Sequence, residues 1–188
     1  MSDEDRSLQP GASITMVPGI VRAGTGALGA HADGAIYEFL AFMLASETYA
    51  LPLAGVQEIL KPPHITQVPR APHDVLGIVS VRGRVITVFD LRRRLRLEEK
   101  VVDKNTRVLL VDAGDEVLGL LVDAVLQVYR LYEDEVELAS TVGGDMNEYV
   151  MGIGRPRAVR TLGRSTSQDR DNPNDILILL DAEPLLRR

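Results

Sequence analysis

The sequence predicts a mainly β fold built from a duplicated small barrel, and three observations support that prediction. After residue 35, apolar runs of four to nine residues recur between turn residues, and they are rich in Val, Ile, Phe and Tyr. Runs of that length and composition favour strands over helices. Their regular spacing is typical of small barrels or sandwiches. Several of the runs also repeat in the same order, which indicates an internal duplication.

The overall composition is that of a soluble globular protein. Of the 188 residues, 45% are hydrophobic and 26% are charged, which is enough for a sizeable core. No apolar run approaches the roughly 18 residues of a membrane-spanning helix, and the acidic start MSDEDRSLQPG is unlike a secretory signal. The absence of cysteine excludes disulfides and suits a reducing cytoplasm. A net charge of −6 disfavours nucleic acid as the main partner.

Residues 1–35 are predicted to form a flexible N-terminal extension. Gly, Ala, Ser, Thr and Pro dominate this stretch, and it has no sustained helical or strand period. Gly24, Gly26 and Gly29 match the dinucleotide-binding pattern GxGxxG. That pattern needs a strand before it and a helix after it, and no helix has room to form before the next strand-like run. The three glycines are therefore assigned to the flexible extension.

Nine runs along the chain are assigned to strands, each bounded by turn residues. In order they are IYEFLAFML, ETYALPL, GIVSV, RVITVFD, TRVLLVD, EVLGLLVD, LQVYRL, YVMGIG and DILILLD. Three brief stretches are assigned to helices: AGVQEIL near 54–60, DLRRRLRL at 90–97 and the C-terminal DAEPLLRR. Because the helical pieces are so short, the fold class depends on the strands.

The repeat is visible when the two halves of the chain are aligned. ETYALPLAGVQEI at 47–59 aligns with EVLGLLVDAVLQV at 116–128, at an offset of 69 residues. Downstream, VLGIVSV parallels YVMGIG, and VITVFDLRRRL parallels ILILLDAEPLL. Three matches in the same order favour a duplicated barrel over chance. The division between the two barrels is predicted at 98–105, where the charged stretch EEKVVDKN interrupts the apolar pattern.

The residues that usually carry catalysis are not arranged for it. His31, His64 and His73 have no metal-ligand spacing, and no cysteine can complete a site. No serine lies in a GxSxG elbow, and no glycine-rich loop carries the P-loop lysine. The sequence therefore predicts a protein that is not an enzyme and has no catalytic residue, metal or cofactor.

One region is strongly basic. From Arg82 to Arg107 the chain has nine Lys or Arg and four Asp or Glu, an excess of five positive charges on an acidic protein. One interpretation is a short helix whose arginine side chains lie along a barrel in contact with water. The other is a surface for a partner rich in carboxylates or phosphates. The sequence leaves both interpretations open.

The apolar runs, taken in order, resemble a CheW-like domain. The resemblance is carried by FLAFMLASETYALPLAGVQEIL, VLGIVSVRGRVITVFDLRRRL, VLLVDAGDEVLGLLVDAVLQVYRL, YVMGIG and DILILLDAEPLL, and it covers about residues 36–188. It implies two five-stranded SH3-like barrels packed side by side, with short helices. The first barrel is expected at about 36–100 and the second at about 101–188. Whether C-terminal elements pack back on the first barrel stays open.

The resemblance also implies a function. Members of this family are non-catalytic adaptors that join the cytoplasmic tips of methyl-accepting chemoreceptors to the regulatory domain of a CheA-type histidine kinase. The expected location is therefore the cytoplasm, with recruitment to membrane-associated receptor arrays but without insertion into the membrane. The alternative is a doubled-barrel module outside chemotaxis that binds a small ligand or nucleic acid.

Two motifs of the family match this sequence residue by residue. VQEI at 56–59 matches the receptor-facing segment, which implies partner contacts by Val56, Glu58 and Ile59. VRG at 81–83 matches the motif Asn-hydrophobic-Arg-Gly, which implies a partner contact by Arg82 beside Gly83. Glu58 and Arg82 are expected to be neighbours across the groove between the barrels.

The chain departs from the family pattern at several places. Ser80 stands where the motif usually has asparagine, and serine has a shorter reach and one donor fewer. The connection at 155–175 is longer than the family usually needs. The cluster Arg92, Arg93, Arg94 and Arg96 is unusually basic. The sequence alone assigns no role to the connection, to the cluster or to the N-terminal extension.

Overall fold

A computed structural model describes residues 35–139, 148–156 and 176–186, which form eleven strands and two short helices. The predictions for the N-terminal extension and for most of the 155–175 connection lie outside these residues. The strands are β1 (Ile36–Leu44), β2 (Glu47–Pro52), β3 (Val56–Leu60), β4 (Val75–Val81), β5 (Arg84–Asp90), β6 (Arg107–Asp112), β7 (Val117–Val122), β8 (Ala124–Tyr132), β9 (Val136–Leu138), β10 (Val150–Gly154) and β11 (Leu177–Leu180). The helices are α1 (Leu91–Arg94) and α2 (Ala182–Leu186).

The strands form two sheets, which confirms the predicted mainly β fold. Sheet A has the order β8-β1-β2-β11-β10-β9, and sheet B has the order β3-β6-β7-β5-β4. Sheet A therefore has six strands rather than the predicted five, because the three-residue strand β9 was not foreseen. All pairings are antiparallel except β2 with β11 and β5 with β7, which are parallel.

The sheet topology agrees with the internal repeat. The repeat matches β1 with β6, β2 with β7, β3 with β8, β4 with β10 and β5 with β11. When each strand of sheet B is replaced by its match in the other half, the order β3-β6-β7-β5-β4 becomes β8-β1-β2-β11-β10, which is the order found in sheet A. Each sheet thus combines the leading hairpin of one half with the three remaining strands of the other half. The duplication is real, but the two copies have exchanged their first hairpins.

This exchange overturns the predicted division of the chain. Barrels at 36–100 and 101–188 would keep each half together, whereas sheet B contains the consecutive strands β3 to β7 and sheet A the strands before and after them. The physical reason is the parallel pairing of β11 with β2 and of β5 with β7, which joins distant segments. The charged stretch at 98–105 is only the loop between α1 and β6. The sequence left open whether C-terminal elements pack back on the first barrel. Sheet A has this arrangement, because the C-terminal strand β11 pairs with β2.

The helix predicted near 54–60 is wrong. Leu53–Gly55 forms one turn of 3-10 helix, and Val56–Leu60 is strand β3, paired antiparallel with β6. A short apolar run cannot be assigned by periodicity alone, and here the edge position beside β6 decides it. The other two helical predictions are confirmed in shortened form as α1 and α2.

The apolar side chains form three layers. One cluster, called here the inter-sheet cluster, joins both sheets and includes Leu40, Phe42, Leu44, Tyr49, Leu51, Phe89, Leu109, Val111, Leu118, Leu120 and Val122. Sheet A has an inner cluster of Tyr37, Phe39, Ala41, Ala50, Leu131, Leu177 and Leu179. Sheet B has another of Val79, Ile86, Val88, Val108, Leu110, Val117 and Leu121. Strands β1, β2, β6 and β7 are buried on both faces, which is why they appear in the sequence as continuous apolar runs.

Two glycines at equivalent positions of the repeat mark irregularities in the strands. Gly77 lies where the register shifts between β4 and β5, and Gly152 where it shifts between β10 and β11. A Cβ at Gly77 would lie 2.2 Å from the carbonyl oxygen of Thr66, and one at Gly152 would lie 2.3 Å from that of Glu137. Both glycines therefore permit a close backbone approach that no other residue allows.

Candidate partner-binding site

The turn between β4 and β5 holds the first part of the predicted site. Val81 pairs with Arg84, so the loop contains only two residues, Arg82 and Gly83. Their φ angles are 51° and 80°, the positive pair that a type I′ hairpin turn requires. Glycine adopts this conformation freely, whereas the left-handed region costs an arginine about 1–2 kcal/mol. The turn forms with Ser80 in place of the family's asparagine, and it holds Arg82 in an unfavourable backbone conformation.

Arg82 forms an ion pair with Glu58. Its Nη2 donates to Oε1 of Glu58 over 2.8 Å, and its side chain is 79% exposed. The predicted closeness of these two residues is thereby confirmed, but the predicted location between the barrels is wrong. Glu58 lies on β3 and Arg82 at the end of β4, and these strands are the two edges of sheet B. The ion pair therefore joins the edges of one sheet.

Val56 and Ile59 face the opposite side of β3 from Glu58. Val56 pairs with Val111 and Ile59 with Leu109, both in the inter-sheet cluster, whereas Glu58 pairs with Leu110 in the inner cluster of sheet B. Directly paired residues share a face of the sheet. Val56 packs against the inter-sheet cluster, and Ile59 is 43% exposed at its edge. The structure thus divides the β3 residues of the predicted site between the two faces of that strand.

The second half of the repeat supplies two residues that the sequence analysis did not single out. Val125 packs against the inter-sheet cluster, and Val128, which pairs with Leu40, is 44% exposed. At the offset of 69 residues, Val125 matches Val56 and Val128 matches Ile59. The alignment already contained this signal. We call these four residues, Val56, Ile59, Val125 and Val128, the inter-sheet margin.

Within the basic region, two arginines are structural. Arg92 Nε donates to Oδ1 of Asp123 over 2.8 Å and Nη2 donates to Oδ2, with only 11% and 12% of the two side chains exposed. The hydrogen bond with Asp123 raises the pKa of Arg92. Arg94 pairs with Asp74 and lies over the rings of Phe89 and Tyr149. The alternative of a partner surface does not hold for Arg92 and Arg94, because their charges are buried and paired.

Asp123 connects the two sheets. It lies between β7 of sheet B and β8 of sheet A, and Oδ2 accepts a hydrogen bond from the backbone N–H of Ala45, in the turn between β1 and β2, over 3.0 Å. The Asp123 N–H donates to the carbonyl of Met43 over 3.1 Å. Through Arg92 the same carboxylate holds α1. One aspartate therefore ties three segments together at the crossover between the sheets.

The loop before β6 is organised by Asp103. Oδ1 of Asp103 accepts from the backbone N–H of Asn105 over 2.7 Å, and Oδ2 pairs with Lys100 over 2.8 Å. The side-chain hydrogen bond from Lys100, aided by the backbone hydrogen bonds, lowers the pKa of Asp103 to about 2. The charged carboxylate is therefore preferred in the folded loop.

This pKa predicts a specific pH dependence. Because the folded pKa is about 2 and the ordinary value is 3.8, the stabilisation by Asp103 is complete above pH 3.8 and lost as the pH falls towards 2. We expect the melting temperature of wild type to exceed that of Asp103→Asn at pH 6, and the difference to shrink between about pH 4 and pH 2. A difference that stays constant over that range would contradict the assignment.

Other kinds of site are not indicated by the described part of the chain. No group of three or more His, Cys, Asp or Glu side chains there could hold a metal ion. A cavity beside Arg92 and Thr106 has a volume of about 10 Å³, which is room for one water at most. Among the same residues, no helix is long and apolar enough to span a bilayer.

Comparison with known proteins identifies the family. The family model described as "CheW-like domain" matches residues 38–188. The chain belongs to the CheW-like domain family. It is 31% identical over 120 residues to the chemotaxis protein CheW of Helicobacter pylori, covering 64% of this chain and 73% of that protein. It is also 31% identical over 153 residues to CheW of Klebsiella aerogenes, covering 79% of this chain and 81% of that protein.

A solved structure agrees with this assignment. The crystal structure of the scaffolding protein TtCheW from Thermoanaerobacter tengcongensis matches with a TM-score of 0.66 at 26% identity, covering 81% of this chain and 93% of that one. The predicted resemblance and the two-barrel fold class are thereby confirmed. The chain is a chemotaxis adaptor of the CheW-like type, and a ligand-binding or nucleic-acid-binding module outside chemotaxis is not favoured.

Proposed function

We propose that this chain couples the cytoplasmic tip of a methyl-accepting chemoreceptor to the regulatory domain of a CheA-type histidine kinase, without catalysing a reaction itself. The observation that carries the proposal is the family match over residues 38–188, which includes every residue of the candidate site and all of both sheets except the first two residues of β1. The adaptor acts in the cytoplasm and is recruited to receptor arrays at the membrane.

The inter-sheet margin is the proposed apolar contact with the receptor tip. Ile59 and Val128 expose apolar side chains at equivalent places in the two halves, beside the inter-sheet cluster. Side chains anchored at the edge of a packed core lose little freedom when a partner covers them. Two equivalent contacts also give the surface an approximate twofold character, which suits a partner with two similar elements.

The Arg82–Gly83 turn is the proposed polar contact. The guanidinium is exposed while Glu58 and the short turn restrict its position. An arginine presented in this way is preorganised for a carboxylate or carbonyl of a partner. The strained backbone conformation of Arg82 supports a functional role, since asparagine or glycine at this position would be easier for the fold.

The experiment is a binding assay with two separate baits, a purified kinase regulatory domain and a receptor tip fragment. We expect the chain to bind both baits. In a gel-shift assay at about 150 mM salt, where DNA-binding proteins with basic surfaces still bind, we expect it not to bind DNA. Binding to DNA alone would overturn the proposal in favour of the nucleic-acid alternative, and binding to neither bait would overturn the adaptor itself.

The margin has its own prediction in the same assay. Ile59→Ser is expected to weaken binding to the receptor tip by about 1–2 kcal/mol, since it removes an apolar contact at the interface. Val101→Ser is the matched control, because Val101 is exposed on the loop before β6 and lies outside the margin. Equal losses for the two variants would contradict the role of the margin.

A further inference from the structure

An apolar stripe along β8 is uncovered by the described residues. Val128 and Tyr132 lie on one face of β8, paired with Leu40 and Ile36 of β1. Ile36, Val128 and Tyr132 are all exposed, and we call these three residues the β8 stripe. Between its two ends, Arg130 Nε donates to Oε1 of Glu38 over 2.8 Å, which neutralises the charge there.

The N-terminal extension contains a run of residues that is apolar, as the β8 stripe is. Residues 14–21 read ITMVPGIV, with five large apolar side chains, and residues 7–21 include no charged residue at all. Elsewhere in residues 1–35, the large apolar side chains are only Met1, Leu8 and Leu28. A purely solvating extension has no need of such a run, since apolar side chains in water gain by being covered.

The connection between the run and the stripe is short. The described chain begins at Ala35, and the next residue, Ile36, is itself part of the β8 stripe. Residues 22–35 are a 14-residue tether rich in Gly and Ala, and a flexible chain of that length spans about 20 Å. The stripe from Tyr132 to Val128 is about 13 Å long at the rise of a strand, which lies within that reach. The effective concentration of a run on such a tether is on the order of millimolar.

We propose that residues 14–21 dock on the β8 stripe of the same chain and compete with the partner that covers Val128. The docking itself follows from the apolar run, the stripe and the tether. The competition rests on the proposed function, because Val128 belongs to both the stripe and the inter-sheet margin. The extension then acts as an internal regulator that lowers the affinity for the receptor tip without blocking it.

The docking is tested without any partner. Because the chain has no cysteine, Ser13→Cys introduces a single position for a spin label next to the run. The expected result is broadening of the Val128 methyl signals in the NMR spectrum of the full chain, with those of the exposed Val101 unchanged. The substitutions Ile14→Ser, Val17→Ser and Ile20→Ser together should remove the broadening. The control substitutions Leu8→Ser and Leu28→Ser should preserve it.

Two results would overturn the docking. One is the absence of broadening at Val128. The other is broadening that appears only between labelled and unlabelled copies in a mixture, which would make a second chain the occupant. For the competition, the variant with three serines should bind a receptor tip fragment about twofold or more tightly than wild type if the stripe is occupied half of the time. Unchanged affinity for the tip would overturn the competition, whereas failure of both chains to bind it would overturn the proposed function alone.

Discussion

Gly77→Ala is expected to destabilise the fold by about 3–5 kcal/mol, a large part of the 5–15 kcal/mol typical of a whole domain. The new Cβ would lie 2.2 Å from the carbonyl oxygen of Thr66, and φ at Gly77 is +148°, a conformation that side chains rarely adopt. Relief of the clash requires separation of Thr66 from Ile78. That separation breaks two backbone hydrogen bonds, of 2.9 and 2.8 Å, that join these residues.

The repeat makes this prediction sharper. Gly152→Ala should cost a similar amount, since its Cβ would lie 2.3 Å from the carbonyl oxygen of Glu137. Gly55→Ala is the matched control, because its nearest neighbour, Val111 Cγ1, is at an ordinary 3.8 Å. Chemical denaturation of the three variants provides the free energies of unfolding. If Gly77→Ala were as stable as Gly55→Ala, the close approach of Thr66 described here would be wrong.

Asp123→Ala is expected to cost about 3–5 kcal/mol of folding stability, because it leaves the buried guanidinium of Arg92 without its counter-ion. The same substitution removes the acceptor for the Ala45 N–H. Glu38→Ala is the control, since it breaks an ion pair with the largely exposed Arg130 and should cost only about 0–1 kcal/mol.

A double variant separates charge burial from loss of packing. Arg92→Met combined with Asp123→Ala removes both charges, so it should recover much of the stability that Asp123→Ala loses. Thermal or chemical unfolding of the three chains measures this directly. A double variant less stable than Asp123→Ala alone would show that Arg92 stabilises the fold by means other than this pair.

The sequence was a good guide to the strands and to the duplication. Nine short apolar runs became strands because their lengths and their Val and Ile content leave little choice at those positions. Strand β9 was not predicted, because three residues are too few to show a periodicity. Strand β3 was predicted as a helix, because a short apolar run is compatible with either structure. Its identity is decided by pairing with β6, which is 47 or more residues away in the chain. Such partners are not visible in a local pattern.

The division of the chain failed for a related reason. Parallel pairing of β2 with β11 depends on which hairpin fills which sheet, and both halves carry nearly the same apolar pattern. A repeat predicts two similar units, but it does not say whether they exchange strands. The charged loop at 98–105 therefore resembled a boundary between two barrels, although the strands on either side of it, β5 and β6, both belong to sheet B.

Within the candidate site, the closeness of Glu58 and Arg82 was predicted, but the arrangement of the site was not, and Val125 and Val128 were not singled out. The family motifs led to Glu58 and Arg82, which the structure brings within hydrogen-bond distance. Assignment of β3 as a strand would also have placed Glu58 and Ile59 on opposite faces, since consecutive strand residues alternate. The burial of Arg92 could not be predicted, because its partner Asp123 lies 31 residues away in an unremarkable position.

We expect the Arg82–Glu58 pair to serve partner binding rather than folding, and reversal of the two charges separates these roles. Because the Arg82 side chain is 79% exposed, the pair should contribute only about 0–1 kcal/mol to folding. At the centre of an interface, reversal of either charge should cost about 2 kcal/mol or more of binding. Calorimetric titration of a receptor tip fragment or a kinase regulatory domain, alongside a melting curve for each variant, separates these effects.

We expect Arg82→Glu and Glu58→Arg each to melt within a degree or two of wild type and to lose binding by roughly thirtyfold or more, the equivalent of about 2 kcal/mol. The double variant should regain part of the binding if the pair organises the contact, and none if each residue meets the partner separately. Two results would contradict the claim: unfolding of Arg82→Glu, which would make the arginine a structural brace, or unchanged binding by both single variants.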